Sequence, residues 1–216
     1  MRNVIFDLDG TLVDSLPGIQ WSVARSLEAC GLAPLSRDLK PLIGPPIRSI
    51  LSTVTGIREP RMLDTLEQAF RTSYDSAGWS RTRLYPGVED LLWLLDSNGI
   101  DLWVVTNKPS RVSARILSQW NLAGFFQEIS CRDSHNPPFA SKSEVLRDLV
   151  DRRALCPAEC LMVGDTIEDC HAAEACGIPC VLVAHGYGAE FPSGYRPVSG
   201  WDEVADLCGA LCAVER

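Results

Sequence analysis

Val4-Ile5-Phe6-Asp7-Leu8-Asp9-Gly10-Thr11-Leu12-Val13-Asp14-Ser15 is the stretch on which the reading of this chain turns. Three apolar residues in a row predict a short strand covered on both faces, and the run stops at an acidic residue. Residues two apart on an extended segment project to the same side, so Asp7 and Asp9 can face one crevice. Gly10 lets the backbone turn sharply and brings its N–H close to a bound anion. The same residues also suit an Asx turn in which the carboxylates satisfy loop amides. Taken alone, Asp-x-Asp-Gly leaves both readings open.

Working outward, the pattern repeats. Leu102-Trp103-Val104-Val105, Leu161-Met162-Val163 and Cys180-Val181-Leu182-Val183 are short apolar runs of the same kind, predicting strands of a parallel sheet. The runs end at Thr106 and, after Gly164, at Asp165. In open parallel sheets the ligand sits beyond the carboxyl ends of the strands, so Asp7, Thr106 and Asp165 converge on one crevice. Between the strands, Val88, Leu91, Leu92 and Leu95 repeat at helical spacing up to Asn98-Gly99. Val112, Ile116, Leu117 and Trp120 make a second stripe, Val145, Leu146 and Leu149 a third, and Val204, Leu207, Cys208 and Leu211 a fourth. The expected fold class is therefore α/β, a doubly wound, Rossmann-like parallel sheet.

One segment breaks the alternation. From Ser15 to about Arg83 there is only helical periodicity: Leu16, Ile19, Val23 and Leu27, then Ile47, Ile50, Leu51 and Val54, then Leu63, Leu66, Phe70 and Tyr74. Residues 15–81 are expected to form an inserted all-helical domain, and residues 1–14 and 82–216 the α/β core. Two linkers side by side suit a hinged lid.

Composition narrows the function classes. A chain of 216 residues, 46% apolar and 22% charged, can bury a sizeable core, which excludes disorder and fibrous repeats. No apolar run reaches the roughly 20 residues of a membrane span, and Met1-Arg2-Asn3-Val4 does not open a signal peptide. A cytoplasmic protein is expected. The net charge of -8 disfavours nucleic acid or an anionic membrane as partner, since both require a basic face. Nine cysteines at irregular spacings, with no C-x2-C pair and three histidines, favour reduced, buried thiols over disulfides or zinc.

Extended to D-x-D-G-T-L-x-D-S after an amino-terminal strand, the opening motif resembles that of the haloacid dehalogenase superfamily of phosphohydrolases, in particular its phosphoglycolate-phosphatase-like group with a helical cap inserted after the first motif. Three further motifs carry the resemblance: Thr106-Asn107-Lys108, a lysine opening a helix at Lys142, and Gly164-Asp165-Thr166-Ile167-Glu168-Asp169. The resemblance implies a phosphatase whose Asp7 attacks phosphorus, whose Asp9 acts as acid and base, and whose Thr106, Asn107 and Lys142 hold phosphate. It also implies Mg2+ held by Asp7, Asp165 and the backbone carbonyl of Asp9, with Asp169 supporting that shell. The implied substrate is a small phosphorylated metabolite, and the implied assembly a monomer or small homo-oligomer.

Elementary chemistry supports that assignment. Phosphoryl transfer is chiefly positioning and charge neutralisation, and Mg2+ prefers hard oxygen ligands. The chain has three lysines, Lys40, Lys108 and Lys142. Lys142 in the first turn of a helix opposes the dipole, a local cost that Asp7 or bound phosphate offsets, whereas Lys108 as a loop residue is expected to point to solvent. Many relatives have proline after the third-motif lysine, where this chain has Ser143. Gly-Asp with Asp169 also fits a helix N-cap, and both roles can hold at once. Asp9 favours a phosphate ester over the halide and phosphonate chemistries of the superfamily, and the absence of histidine from Leu16-Pro17-Gly18-Ile19-Gln20 disfavours a mutase. Phosphoglycolate is the default ester; a nucleotide, sugar phosphate or pyrophosphate stays open, as does a binding protein without turnover. Arg48 is either a substrate contact or a solvated helix-start residue.

Overall fold

A computed structural model describes residues 1–188, 191 and 197–209. Its strands are β1 (Asn3–Phe6), β2 (Val13–Asp14), β3 (Arg83–Leu84), β4 (Asp101–Thr106), β5 (Phe126–Cys131), β6 (Cys160–Gly164) and β7 (Cys180–Leu182). Five of them form one sheet in the order β5-β4-β1-β6-β7, and β2 pairs with β3 separately. Every neighbour in the large sheet is parallel, with Phe6 opposite Val104 on one side and Val163 on the other. β1 is thus central, and the ends of β4, β1 and β6 lie side by side. The chain divides into two compact units, Asp14–Arg83 and the remainder.

In the sheet unit the helices are α4 (Val88–Ser97), α5 (Ser110–Gln119), α6 (Lys142–Arg153), α7 (Ile167–Glu174) and α8 (Trp201–Cys208), following the helical unit's α1 (Leu16–Ala29), α2 (Ile47–Thr55) and α3 (Pro60–Ser73). Ile5, Trp103, Val105 and Met162 pack with Val145, Leu146, Leu149, Ala172 and Ala173 in one buried cluster. Alternate residues Val4, Phe6, Leu102 and Val104 are equally buried on the opposite side of the pleat. Both faces are therefore covered, the reason these strands read as continuous apolar runs. The α/β fold class expected from the sequence is the one observed.

Two details differ from the sequence reading. β5 was not anticipated, because Phe126-Gln127-Glu128-Ile129-Ser130-Cys131 interrupts its apolar residues with polar ones; as the edge strand it pairs with β4 alone. Leu207 does not belong to the buried stripe of α8: it is 52% exposed, while Val204, Ala205 and Cys208 are buried. At about 100° per residue these three define a face that Leu207 misses by about 100°. Leu211 lies outside the described residues.

The helical unit buries Ile19, Val23 and Leu27 of α1, Ile50 and Leu51 of α2, and Leu63, Leu66 and Phe70 of α3. α3 ends at Ser73 in a π-turn, Tyr74–Gly78, with Tyr74 stacked on Phe70 at 5.3 Å between ring centres. α1 meets this turn so closely that a Cβ at Gly18 would overlap the Gly78 carbonyl oxygen. No helix among the described residues is long and apolar enough to cross a membrane. The eight described cysteines form no disulfide, and burial pushes the thiol of Cys131 up to about 12 and that of Cys160 to about 11.

Gly18→Ala tests the helix contact. Helix propensity alone would make the substitution stabilising by about 1 kcal/mol. Overlap with a backbone atom instead predicts a net loss of about 1–3 kcal/mol in urea unfolding. Gly124→Ala, with no heavy atom within 4 Å of the new Cβ, should stay within about 0.5 kcal/mol of wild type.

Glu128 on β5 accepts hydrogen bonds from Arg152 and Arg153 at the end of α6, at 2.6–3.2 Å. The bond from Arg152, with those from Ser130 and Arg153, holds its pKa near 2, below the ordinary 4.5, against the opposing effect of burial. A carboxylate with a depressed folded-state pKa stabilises above its unfolded value and loses that contribution as pH falls through the folded one. Glu128→Gln should therefore cost about 1 kcal/mol at pH 7, discounted for its half-exposed arginine partners. The gap between variant and wild type should narrow as pH falls from 4.5 toward 2; a pH-independent gap would show that packing, not charge, is what was lost.

Candidate active site

Asp7 follows β1 directly, and its N–H still donates to Val163 of β6 at 2.9 Å, so the ladder holds its backbone rigid. After Asp7 the chain turns tightly: the N–H groups of Leu12 and Val13 reach back to the Leu8 carbonyl, and Gly10 N–H donates to Val13. Gly10 sits at φ +92°, and a Cβ there would overlap the Asp165 carboxylate. The glycine is what lets the first motif approach the fourth.

Asp7, Asp165 and Asp169 are buried, and one carboxylate oxygen of each lies within 4.8 Å of the others. Among the described residues this is the one group of its kind. Lys142, the first residue of α6, places Nζ 2.5 Å from Asp7 Oδ1 and 2.5 Å from Asp169 Oδ1. The helix starts there because Ser141 caps it, its side chain accepting from Glu144 N–H at 3.3 Å. The opposed dipole is thus offset by two carboxylates.

Asp169 is used on both oxygens. Oδ2 accepts from Asp165 N–H at 3.1 Å, Thr166 N–H at 3.0 Å and the Thr166 hydroxyl at 3.0 Å. It closes a capping box at the start of α7, so the capping and the site-building roles of this motif coexist. Asp165 accepts from Tyr187 N–H through Oδ2 at 2.6 Å, while its buried Oδ1 has no hydrogen-bond partner. Asp7 Oδ2 accepts no hydrogen bond among the described residues either.

Charge explains the tuning. Three buried carboxylates face one ammonium, leaving two negative charges uncompensated. Burial pushes Asp7 up to about 7 despite Lys142, and burial with Asp7 and Asp169 nearby pushes Asp165 well above its ordinary range. Burial alone would lower Lys142; Asp169 and Asp7 outweigh it and hold the ammonium charged. A carboxylate set short of positive charge, with unpaired oxygens on Asp7 and Asp165, fits a hard divalent cation such as Mg2+. Asp169, fully hydrogen-bonded, fits the supporting place.

At the end of β4, Thr106 is buried and its hydroxyl accepts Lys108 N–H at 3.2 Å. Asn107 Nδ2 donates to Glu168 Oε1 of α7 at 3.0 Å. Lys108 departs from the sequence expectation: it is 7% exposed, and Nζ donates to both oxygens of Asp9, at 2.9 and 2.8 Å. The nearest carboxylate, not solvent, decides its direction, because a buried ammonium needs a partner. The Asp9 carboxylate is thus paired with Lys108 and is not one of the three acids of the cluster, though its charge is felt by Asp7.

The loop after β7 also escaped the sequence reading. A Cβ at Gly186 would overlap Asp165 Cβ, and one at Gly188 would overlap the Asp165 carbonyl, so two glycines flanking Tyr187 let this loop wrap the acid. Gly186-Tyr187-Gly188 was the available signal. Arg48 is engaged within the helical unit, donating to Asp64 at 2.6 Å, Glu67 at 3.2 Å and the Pro60 carbonyl at 3.2 Å.

Comparison with known proteins agrees with this geometry. The chain is 32% identical over 215 residues to a phosphoglycolate phosphatase of Agrobacterium fabrum, covering 96% of this chain and 91% of that one. It is 31% identical over 189 residues to a 5'-nucleotidase of Pseudomonas aeruginosa, covering 87% and 85%. The crystal structure of a predicted phosphatase from Clostridium acetobutylicum superposes with a TM-score of 0.83 at 28% identity, covering 100% and 99%. Residues 4–183 match the model of the haloacid dehalogenase-like hydrolases. With a parallel sheet that gathers four separated motifs at one edge, and sequence likeness along nearly its whole length, the chain belongs to the haloacid dehalogenase-like hydrolase family.

Proposed function

We propose that this hydrolase is a Mg2+-dependent phosphatase that cleaves a small phosphate monoester through a phosphorylated Asp7. The observation that carries this reading is the buried Asp7–Asp165–Asp169 cluster with Lys142 bridging Asp7 and Asp169. Mg2+ held by Asp7 and Asp165 would supply positive charge that keeps Asp7 ionised and neutralises phosphate oxygens.

The chain's own residues divide the remaining work. Thr106 and Asn107 hold the phosphate at the end of β4. Lys142 neutralises part of its charge and fixes Asp7. The Asp7 carboxylate attacks phosphorus as the ester P–O bond breaks, forming an acyl phosphate on the side chain. Asp9 protonates the leaving oxygen, then takes a proton from the water that attacks the acyl phosphate, which restores Asp7 and releases inorganic phosphate. Similarity to a phosphoglycolate phosphatase makes phosphoglycolate the leading substrate, and similarity to a 5'-nucleotidase keeps nucleoside monophosphates in view.

Phosphate release from p-nitrophenyl phosphate and from a series of phosphoglycolate, nucleoside 5'-monophosphates, sugar phosphates and pyrophosphate tests the reading. Turnover should require Mg2+ and stop on chelation. Asp7→Asn should lower kcat by about 10^4-fold or more, as loss of a covalent nucleophile does, and turnover that survives it would falsify the phosphorylated-aspartate route. Asp165→Asn should act differently, raising the Mg2+ concentration needed for half-maximal activity, as read by titrating the metal.

A further inference from the structure

Lys108 is a buried ammonium that the reaction above leaves without a task. It follows Thr106 and Asn107 at the end of β4, and β4 neighbours β1 in the sheet, so the two strand ends place Lys108 beside Asp9. Both carboxylate oxygens of Asp9 accept from its Nζ, with side-chain exposures of 5% for the lysine and 18% for the acid. The backbone N–H of Lys108 is meanwhile tied to the Thr106 hydroxyl. The second buried lysine, Lys142, is committed to Asp7 and Asp169. Each cation therefore serves its own carboxylate: one the attacking group, the other the proton carrier.

We propose that Lys108 is a positioning residue for proton transfer: by holding Asp9 through both oxygens it aims that carboxyl at the leaving group and stabilises the negative charge it acquires. The proposal rests on the role given to Asp9 above. In the first step the protonated Asp9 carboxyl gives its proton to the ester oxygen as the P–O bond breaks, and the alcohol leaves. Asp9 is then a carboxylate, whose charge the Lys108 ammonium, 2.8–2.9 Å from its two oxygens, offsets. In the second step water attacks phosphorus, its proton passes to Asp9, and the carboxyl is restored. Lys108 keeps all its protons throughout.

Such a role has a signature that phosphate binding and simple structural support lack. An alkoxide leaves poorly without a proton, whereas p-nitrophenolate leaves well without one. Loss of the proton carrier's aim should therefore depress alkyl esters selectively, since general acid catalysis contributes typically 10^2–10^4-fold.

The experiment compares kcat and KM of wild type, Lys108→Met, Lys108→Arg and Asp9→Asn on p-nitrophenyl phosphate and on phosphoglycolate, or on whichever alkyl ester of the series is cleaved faster. Thermal midpoints identify the folded fraction. The expected result is a kcat/KM, which reports the steps up to phosphorylation of Asp7, reduced in Lys108→Met by about 10^2-fold on the alkyl ester but less than about 5-fold on the aryl ester, with partial recovery in Lys108→Arg. Asp9→Asn should show the same selectivity in kcat/KM, more strongly, and should lower kcat on both esters, since water attack on the shared acyl phosphate uses the same carboxyl. In kcat/KM, selective loss in Asp9→Asn with a uniform loss in Lys108→Met overturns the task given to Lys108 and leaves that of Asp9 standing. No selectivity in Asp9→Asn overturns both. Should Lys108→Met not fold, Lys108→Gln and Lys108→Arg carry the same comparison.

Discussion

The contact on which the site depends is the one between the Lys142 ammonium and the carboxylates of Asp7 and Asp169. Three buried carboxylates with oxygens within 4.8 Å of one another would repel strongly, and removing one partner of a buried ion pair costs about 3–5 kcal/mol. With Lys142 in place the repulsion is reduced but not cancelled. In the proposed function the residual negative charge is what would attract a divalent cation, and the half-satisfied Asp7 is the group that would attack phosphorus. Stability and function here draw on the same imbalance.

The surrounding architecture exists to hold that imbalance steady. β1 is central in the sheet, so Asp7 cannot shift without disturbing two ladders. Asp169 is fixed by the start of α7 and in turn fixes Asp165. Gly10 and Gly186 admit backbone from both flanks, and Tyr187 N–H takes up one oxygen of Asp165, leaving the other buried without a partner among the described residues. The acids are therefore supported from behind by amides and hydroxyls. Their open oxygens are the ones that, in the proposed function, would take a cation.

A second ion pair, Lys108 with Asp9, stands beside the first and is built differently. It joins two neighbouring strand ends directly, through both oxygens of one carboxylate. The two pairs give Asp7 and Asp9 separate cations although the residues are only two apart in sequence, which is what the proposed nucleophile and proton carrier require. Adjacent carboxylates can hold different jobs when each has its own cation, since environment decides which proton state each favours.

Much of this was legible beforehand. Runs such as Val4-Ile5-Phe6 declare a buried parallel strand because both faces are covered, and helical stripes such as Val88, Leu91, Leu92 and Leu95 declare what covers them. The residues at the strand ends, Asp7, Thr106 and Asp165, follow from that reading and from the motifs they open. What stayed hidden was whatever depends on a partner distant in the chain. β5 is an edge strand whose polar residues hide its pairing, and Leu207 sits on a helix whose rotation only packing sets. Lys108 finds Asp9 and not solvent because β4 lies beside β1, and the Gly186 loop closes on Asp165 because β7 lies beside β6. Local pattern determines the kind of element and the chemical type of its end; which charge meets which is decided by strand order, because Coulombic pairing acts across space and not along the chain.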